Sequence, residues 1–399
     1  MTDSLVVELA KNYDSTDDSV AENPYPVWER FRSSGSVLRS EQLGGFHLVT
    51  RYEDVRAVIG DYERFVSSQK VAMPPILGPQ IPPVEFDPPE HRDMRQPLNA
   101  WFSPQATLEM EPEIRELAVE LIEPMLERDQ VDLMEEFAGI LPRLVVMRLL
   151  GLPDGDREML AEWVHCIERL RSTDPDRVRA ATEDFLAYLS ADLEDRRRAP
   201  RGTRDIVASL MTAEIDGQPI ADDVLLLYYF NLVMSGLGTT TAALALLLRH
   251  LAEHPDAAAM LRAQPERLDP AIEELLRVYT PTQALGRTAA VDTEINGCPI
   301  KAGDKVQVVF GSANHDPEEF PDADEVILDR KPNRHLAFGG GVHRCIGSNL
   351  ARRILRVGIE EILARFGEFR LTDPATIRWE MNGTELRTLA ALPVTRKAG

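Results

Sequence analysis

The sequence predicts a mainly α protein with a small β region, folded as a single domain over residues 1–399. Three observations carry this. Residues 89–251 repeat apolar positions at helical spacing, with Pro104, Pro153, Pro175 and Pro200 as candidate breaks. Short β-patterned runs sit on either side of that helical stretch, at 37–39 and 46–49 and again beyond residue 287. No internal repeat, low-complexity tract or linker divides the chain.

Composition narrows the function classes. A formal net charge of −22 argues against nucleic-acid binding, which needs a basic face. The first residues show neither a basic region nor a long apolar core, so no signal peptide is expected. The most apolar run, 224–248, is interrupted by Asn231, Ser235 and two glycines and reads as a buried helix, not a membrane span. Cys166, Cys298 and Cys345 are few and scattered, which suits a reducing compartment, and a cytoplasmic location is expected.

Taken in order, residues 1 to about 20 are polar and expected to be loosely ordered. A short helix is expected over 26–32, strands over 37–39 and 46–49, and a helix over 54–59. Residues 66–89 hold seven prolines among apolar residues such as Val71, Met73, Ile76 and Leu77. A long, proline-stiffened apolar loop is usually functional. The basic stretch 196–205 reads as a solvated turn. A long helix is expected from 222 to 254, opened by Asp222 and Asp223. Strands follow over 288–295, 298–300 and 306–309, separated by Asn296-Gly297 and Ala302-Gly303 turns. A last helix covers 349–366.

The chemistry concentrates in HLAFGGGVHRCIGSNLARR, residues 335–353. Three consecutive glycines demand tight bends, and a helix starts directly after. Cys345 therefore lies at a helix N-terminus, where free N–H groups and the helix dipole favour a thiolate. Zinc needs more cysteine or histidine ligands nearby, and an iron–sulfur cluster needs several cysteines. His343 is poorly placed as the base of a nucleophilic cysteine. A haem iron with one axial thiolate fits best, because the porphyrin supplies four ligands. The plainer alternative is a buried cysteine beside a glycine turn.

This stretch resembles the haem-binding loop of the cytochrome P450 family, which brings with it the cytochrome P450 fold. Near it, SGLGTT at 235–240 resembles the family's oxygen-binding segment, with Gly236 against the haem, Thr239 as the oxygen-side threonine and Thr240 beside it. Two helix-interior glycines each cost about 1 kcal/mol, so either a local opening for dioxygen or a close helix–helix contact is implied. The family usually has an acid where this chain has Gly238, and no acid occurs between Asp223 and Glu253. The glycine would leave room for a water.

Further positions follow from the resemblance. Glu274 and Arg277, 71 residues before Cys345, resemble the family's Glu-x-x-Arg pair, and Arg330 is the candidate third member, the alternative being a surface arginine. His91, Arg95, Arg287 and His343 are implied as partners of the haem propionates, with Phe338 and Gly347 in the loop beside the haem. The substrate pocket would be lined by Val71 and Met73 in the 71–77 loop, by Asn231, Met234 and Ser235, by Thr282, Gln283 and Leu285, and by Thr384 within 383–386.

The implied activity is a monooxygenase that uses haem b and dioxygen on a small, largely apolar organic molecule. Electrons would come from a separate ferredoxin-type protein with its reductase, with no nucleic acid or membrane involved. Arg92, Arg344, Arg352, Arg353 and Arg356 could form a basic docking patch on the Cys345 side. Two alternatives stay open: a peroxide-driven peroxygenase on the same site, and a non-enzymatic haem sensor.

Overall fold

A computed structural model describes residues 4–35, 37–76, 78–199, 201 and 205–397. Helices take 54% of the chain, which makes it mainly α. The elements that position the site are labelled in chain order: α1 (Ser4–Lys11), β1 (Leu38–Ser40), β2 (Phe46–Val49), β3 (Phe65–Val66), α2 (Glu90–Asn99), α3 (Leu141–Leu150), α4 (Arg157–Arg169), α5 (Asp222–Leu237), α6 (Thr239–Glu253), α7 (Leu268–Tyr279), β4 (Ala284–Ala289), β5 (Lys305–Val309), α8 (Ser348–Glu361), β6 (Trp379–Asn382) and β7 (Leu386–Leu389).

The main sheet runs β1-β2-β5-β4-β3. Its pairs are antiparallel except β5 with β2, where Val306 lies opposite His47. The first strand expected over 288–295 is two pieces, β4 and a separate strand Thr293–Ile295, and between them exposed Asp292 accepts the Ala302 N–H at 3.0 Å. The Asn296-Gly297 turn is present, with both residues at positive φ (48° and 74°), the geometry of a tight hairpin.

The helical core is built on α6, whose Leu244, Leu246, Leu247, Leu248 and Leu251 are fully buried and packed against α3, α7 and α8. Such a helix is apolar on nearly every face because it is surrounded by protein. The 222–254 helix is therefore a core helix, and it is divided: α5 ends at Leu237 and α6 begins at Thr239, with Gly238 between them.

Two expectations fail. The N-terminal stretch is ordered from residue 4: Ala10 is fully buried, and Tyr13 Oη accepts a hydrogen bond from Trp28 Nε1 at 3.0 Å. Its apolar face (Val6, Leu9, Ala10, Tyr13) is narrow, and the polar residues around it hide the period. Arg196 is not part of a solvated turn either. Only 4% exposed, it holds Asp192 at 2.6 Å, Asp205 at 2.9 Å and the carbonyls of Leu150 and Gly151 at 2.8 Å. Four residues of that stretch, 200 and 202–204, and Leu77 of the proline loop lie outside the described residues.

The proline loop is pinned by acids it carries itself. Asp87 accepts the N–H groups of Ser67 (2.9 Å) and Ser68 (3.0 Å), and buried Glu85 accepts Lys70 Nζ (2.8 Å) and the Ile81 N–H (3.0 Å). The β6–β7 hairpin is tied to the chain's beginning by Arg387, which donates to Ala21 O (2.6 Å), Tyr25 Oη (2.8 Å) and Glu22 O (3.1 Å).

Candidate active site

The cysteine loop is shaped by two glycines in left-handed backbone, Gly339 (φ 64°) and Gly341 (φ 63°); a Cβ on Gly341 would strike the Ile59 carbonyl. Within the loop the Cys345 N–H donates to Phe338 O at 2.9 Å. Cys345 is exposed, and α8 starts three residues later. Desolvation by the surrounding protein pushes the Cys345 thiol up, while the Gly347 N–H and the charges of Arg95, Arg344 and Arg352 pull it back only in part. The expected thiolate is thus not held by the protein alone. Coordination to a metal would complete it, since a coordinating thiol is deprotonated outright.

Beneath the loop, Glu274 and Arg277 are fully buried and paired through both carboxylate oxygens, each at 2.8 Å. Arg330 Nε reaches the same carboxylate at 3.0 and 3.1 Å, joined by Asn333 Nδ2 (3.1 Å) and the Ile327 N–H (2.9 Å). Burial pushes Glu274 up, but these donors hold it below the ordinary carboxylate range. Arg330 is therefore no surface arginine.

Four basic side chains gather beside the loop. His91 and His343 meet ring to ring at 4.3 Å between centroids. Arg95, from α2, donates to Arg344 O at 2.7 Å and Val342 O at 3.4 Å. Arg287, from β4, is 4% exposed and bonds only its neighbour's carbonyl, Gly286 O, at 2.8 Å among the described residues. Burial pushes Arg287 down to about 10 and His91 down to about 4. His343 Nε2 has no hydrogen-bond partner, although Asp87 Oδ1 lies 3.5 Å away. These incompletely matched donors fit anionic groups such as propionates. Among the described residues no three His, Cys, Asp or Glu side chains converge on a metal, so an iron here must bring its own ligands.

On the helix break, Thr239 Oγ donates back to Ser235 O at 2.9 Å, and Ser235 is exposed although its neighbours Leu232, Val233, Met234 and Leu237 are buried. Thr240 is buried. The two glycines of this break have different neighbours. A Cβ on Gly236 would lie 2.7 Å from Val146 Cγ1, so this glycine allows a close contact with α3. The space at Gly238 is bounded by Leu386 Cδ2 and the carboxylate of Glu168, 3.2 and 3.4 Å from where a Cβ would sit.

The pocket set divides. Asn231, Ser235, Thr282 and Leu285 retain exposure, and Met234 is buried beside them at 8%. The Asn231 amide is already used, by Pro82 O at 3.0 Å and Ser235 Oγ at 3.1 Å, so it ties the proline loop to α5. Val71 and Met73 are buried, with Val71 O accepting Gly286 N–H at 2.7 Å and Met73 packed in the N-terminal core cluster with Trp28 and Phe31. Gln283 and Thr384 are 3% and 1% exposed and border a separate void of about 10 Å³ beside Tyr13 and Trp28. The Gln283 amide donates to Tyr279 O at 3.1 Å, closing the end of α7. Met73, Gln283 and Thr384 are thus buried positions.

Three features escaped the sequence reading. Glu273 binds Arg352 (2.6 and 2.7 Å) and His335 (3.0 Å). Arg171 pairs with Glu385. Glu168 projects from α4 to Gly238. The basic patch also shrinks: Arg352, Arg353 and Arg356 pair with Glu273, Glu111 and Asp269, which leaves Arg92 and Arg344 without carboxylate partners among the described residues.

Comparison with known proteins accounts for this arrangement. The family model described as Cytochrome P450 matches residues 28–384. The chain is 36% identical to the mycinamicin IV hydroxylase/epoxidase of Micromonospora griseorubida over 87% of its own length and 88% of that protein. It is 38% identical to cytochrome P450-SU2 of Streptomyces griseolus over 82% of each. The bacillaene polyketide synthase cytochrome P450 PksS of Bacillus subtilis 168 superposes with a TM-score of 0.88, at 30% identity over 97% of this chain and 100% of that one. Agreement over this length in sequence and in fold means that the chain belongs to the cytochrome P450 family of haem-dependent monooxygenases.

Proposed function

We propose that this enzyme holds haem b through Cys345 and inserts one atom of dioxygen into a small, largely apolar organic substrate, with electrons from a separate ferredoxin-type protein and its reductase. The observation that supports it is the exposed Cys345 thiol beside four basic side chains, of which Arg287 and His343 are incompletely paired. His91, Arg95, Arg287 and His343 would hold the propionates. When bound, a haem with a thiolate ligand supplies oxygen activation, the thiolate pushing electron density toward O–O cleavage.

The chain's own residues do the rest. The Glu274–Arg277–Arg330 cluster fixes the segment leading into the loop, so the thiol does not drift. Thr239 Oγ, rotated off Ser235 O, would hold and pass a proton at the α5–α6 break. Ser235, Met234, Thr282 and Leu285 would orient the substrate, and the proline loop, latched by Asn231, would exclude water. The relative named as a hydroxylase/epoxidase supports hydroxylation or epoxidation as the outcome. Exposed Arg92 and Arg344 suit an acidic electron-transfer partner.

The test is spectroscopic. The reduced, carbon-monoxide-bound protein should show the strongly red-shifted Soret band of a thiolate-ligated haem, and Cys345→His should move it to shorter wavelength. An unchanged band in the variant would end the proposal. A ligand screen read by Soret shift then identifies the substrate class.

A further inference from the structure

We infer that Glu168, reaching from α4 to the α5–α6 break, is the proton-delivering carboxyl of this site and stands in the space that Gly238 leaves beside Thr239. This rests on the monooxygenase reading above. No acid occurs on the α5–α6 helix between Asp223 and Glu253, so a carboxyl at the break must come from elsewhere. Glu168 brings one: Oε2 and Oε1 lie 3.4 and 3.6 Å from the point a Gly238 Cβ would occupy.

The surroundings favour a working acid over a structural one. The Glu168 side chain is partly exposed and its carboxyl makes no hydrogen bond to any described residue, whereas Glu274, a carboxyl with a structural role, is saturated. Three ionisable groups face it. Arg171, following α4, is committed to Glu385, from the β6–β7 turn, and Arg143 comes from α3. Burial and Glu385 push Glu168 up, and Arg171 and Arg143 pull it down, leaving it at about 8. It is then mostly protonated at neutral pH and close enough to its midpoint to release and regain a proton, which is what a general acid needs.

The step balances simply. The Glu168 O–H gives its proton to an intervening water. That water passes a proton to Thr239 Oγ, whose own hydroxyl proton moves on toward the oxygen. The carboxylate left behind is reprotonated from solvent. A side chain at residue 238 would occupy this route, which accounts for glycine there.

Carbon monoxide and hydrogen peroxide serve as probes in the holoprotein, so neither substrate nor redox partner is required. In the reduced wild type, the infrared C–O stretch should titrate with a midpoint near 8, and in Glu168→Gln it should not titrate. The stopped-flow Soret change on mixing with peroxide alone should slow about 10²-fold in Glu168→Gln. It should recover in Glu168→Ala/Gly238→Asp, which moves the carboxyl to the helix. A C–O band that is pH-independent in the wild type, or that titrates alike in both proteins, overturns the inference. So does a peroxide reaction unaffected by Glu168→Gln. If that variant does not bind haem, Glu168→Asp and the wild-type titration decide. Loss of the red-shifted carbon-monoxide band in the wild type itself would instead sink the haem-thiolate reading.

Discussion

The guanidinium of Arg352 lies 4.4 Å over the ring of Phe338 while its Nε and Nη2 grip Glu273 at 2.6 and 2.7 Å. One arginine on α8 thus clamps the start of the cysteine loop to α7, combining a cation–π contact with a bidentate ion pair.

The clamp has a pH signature. Burial pushes Glu273 up, but Arg352 and His335 bring it down to about 2 from an ordinary value of 4.5. A depressed carboxylate stabilises the fold above its unfolded pKa, and that stabilisation is lost as pH falls toward the folded value. Glu273→Gln should therefore melt lower than wild type at neutral pH, and the gap should narrow as pH drops below 4.5. Thermal melts across that range check it; a gap independent of pH would mean that Glu273 acts without its charge.

Arg277 is the costlier residue to lose. Its removal leaves Glu274 charged in a site of zero exposure and frees the carbonyls of Asn314 and Ala323, each bonded at 2.7 Å. Arg277→Met should destabilise by about 3–5 kcal/mol. Denaturant unfolding measures this, and a loss under about 1 kcal/mol would show that the pair is not structural.

Gly236 makes a steric prediction. Gly236→Ala places a methyl 2.7 Å from Val146 Cγ1 and should cost about 1–3 kcal/mol by overpacking. Val146→Ala in the same chain should recover most of it, and the double-mutant cycle reads the coupling. Purely additive losses would place the strain elsewhere.

Asn231→Leu should loosen the proline loop more than it weakens ligand binding. It removes the donor to Pro82 O, worth about 1 kcal/mol, and should raise amide exchange in residues 71–76. Unchanged exchange with a tenfold weaker ligand would return Asn231 to the pocket.

Arg344→Glu should slow association with an acidic ferredoxin, and the effect should fade as salt rises. Arg353→Glu, losing a pair already made with Glu111, should affect stability more than docking. Equal effects on association would restore the wider patch.

The fold class and the cysteine loop were readable because their signals are local: helical period, glycine turns, and residues within a few positions of Cys345. The Glu274–Arg277 pair was readable for the same reason, three apart on one helix. What a residue touches across space was not. Gly236 and Gly238 look alike in sequence, yet one abuts Val146 and the other a carboxylate from α4. Gln283 and Thr384 sit in stretches expected to line the pocket, but both are buried, Gln283 closing the end of α7. The acid absent from α5–α6 could not be replaced by eye, because Glu168 belongs to a different helix whose approach only packing decides.

The tie from Arg387 to Ala21, Glu22 and Tyr25 orders events during synthesis. Residues 21–25 are synthesised long before the β6–β7 hairpin and must wait for it. That hairpin carries Leu386 to the helix break and Glu385 to Arg171 and to the Met73 N–H (2.9 Å). Helices between them can collapse as they emerge. The contacts at the helix break cannot close until that hairpin has emerged, so the nascent chain stays open there until it does.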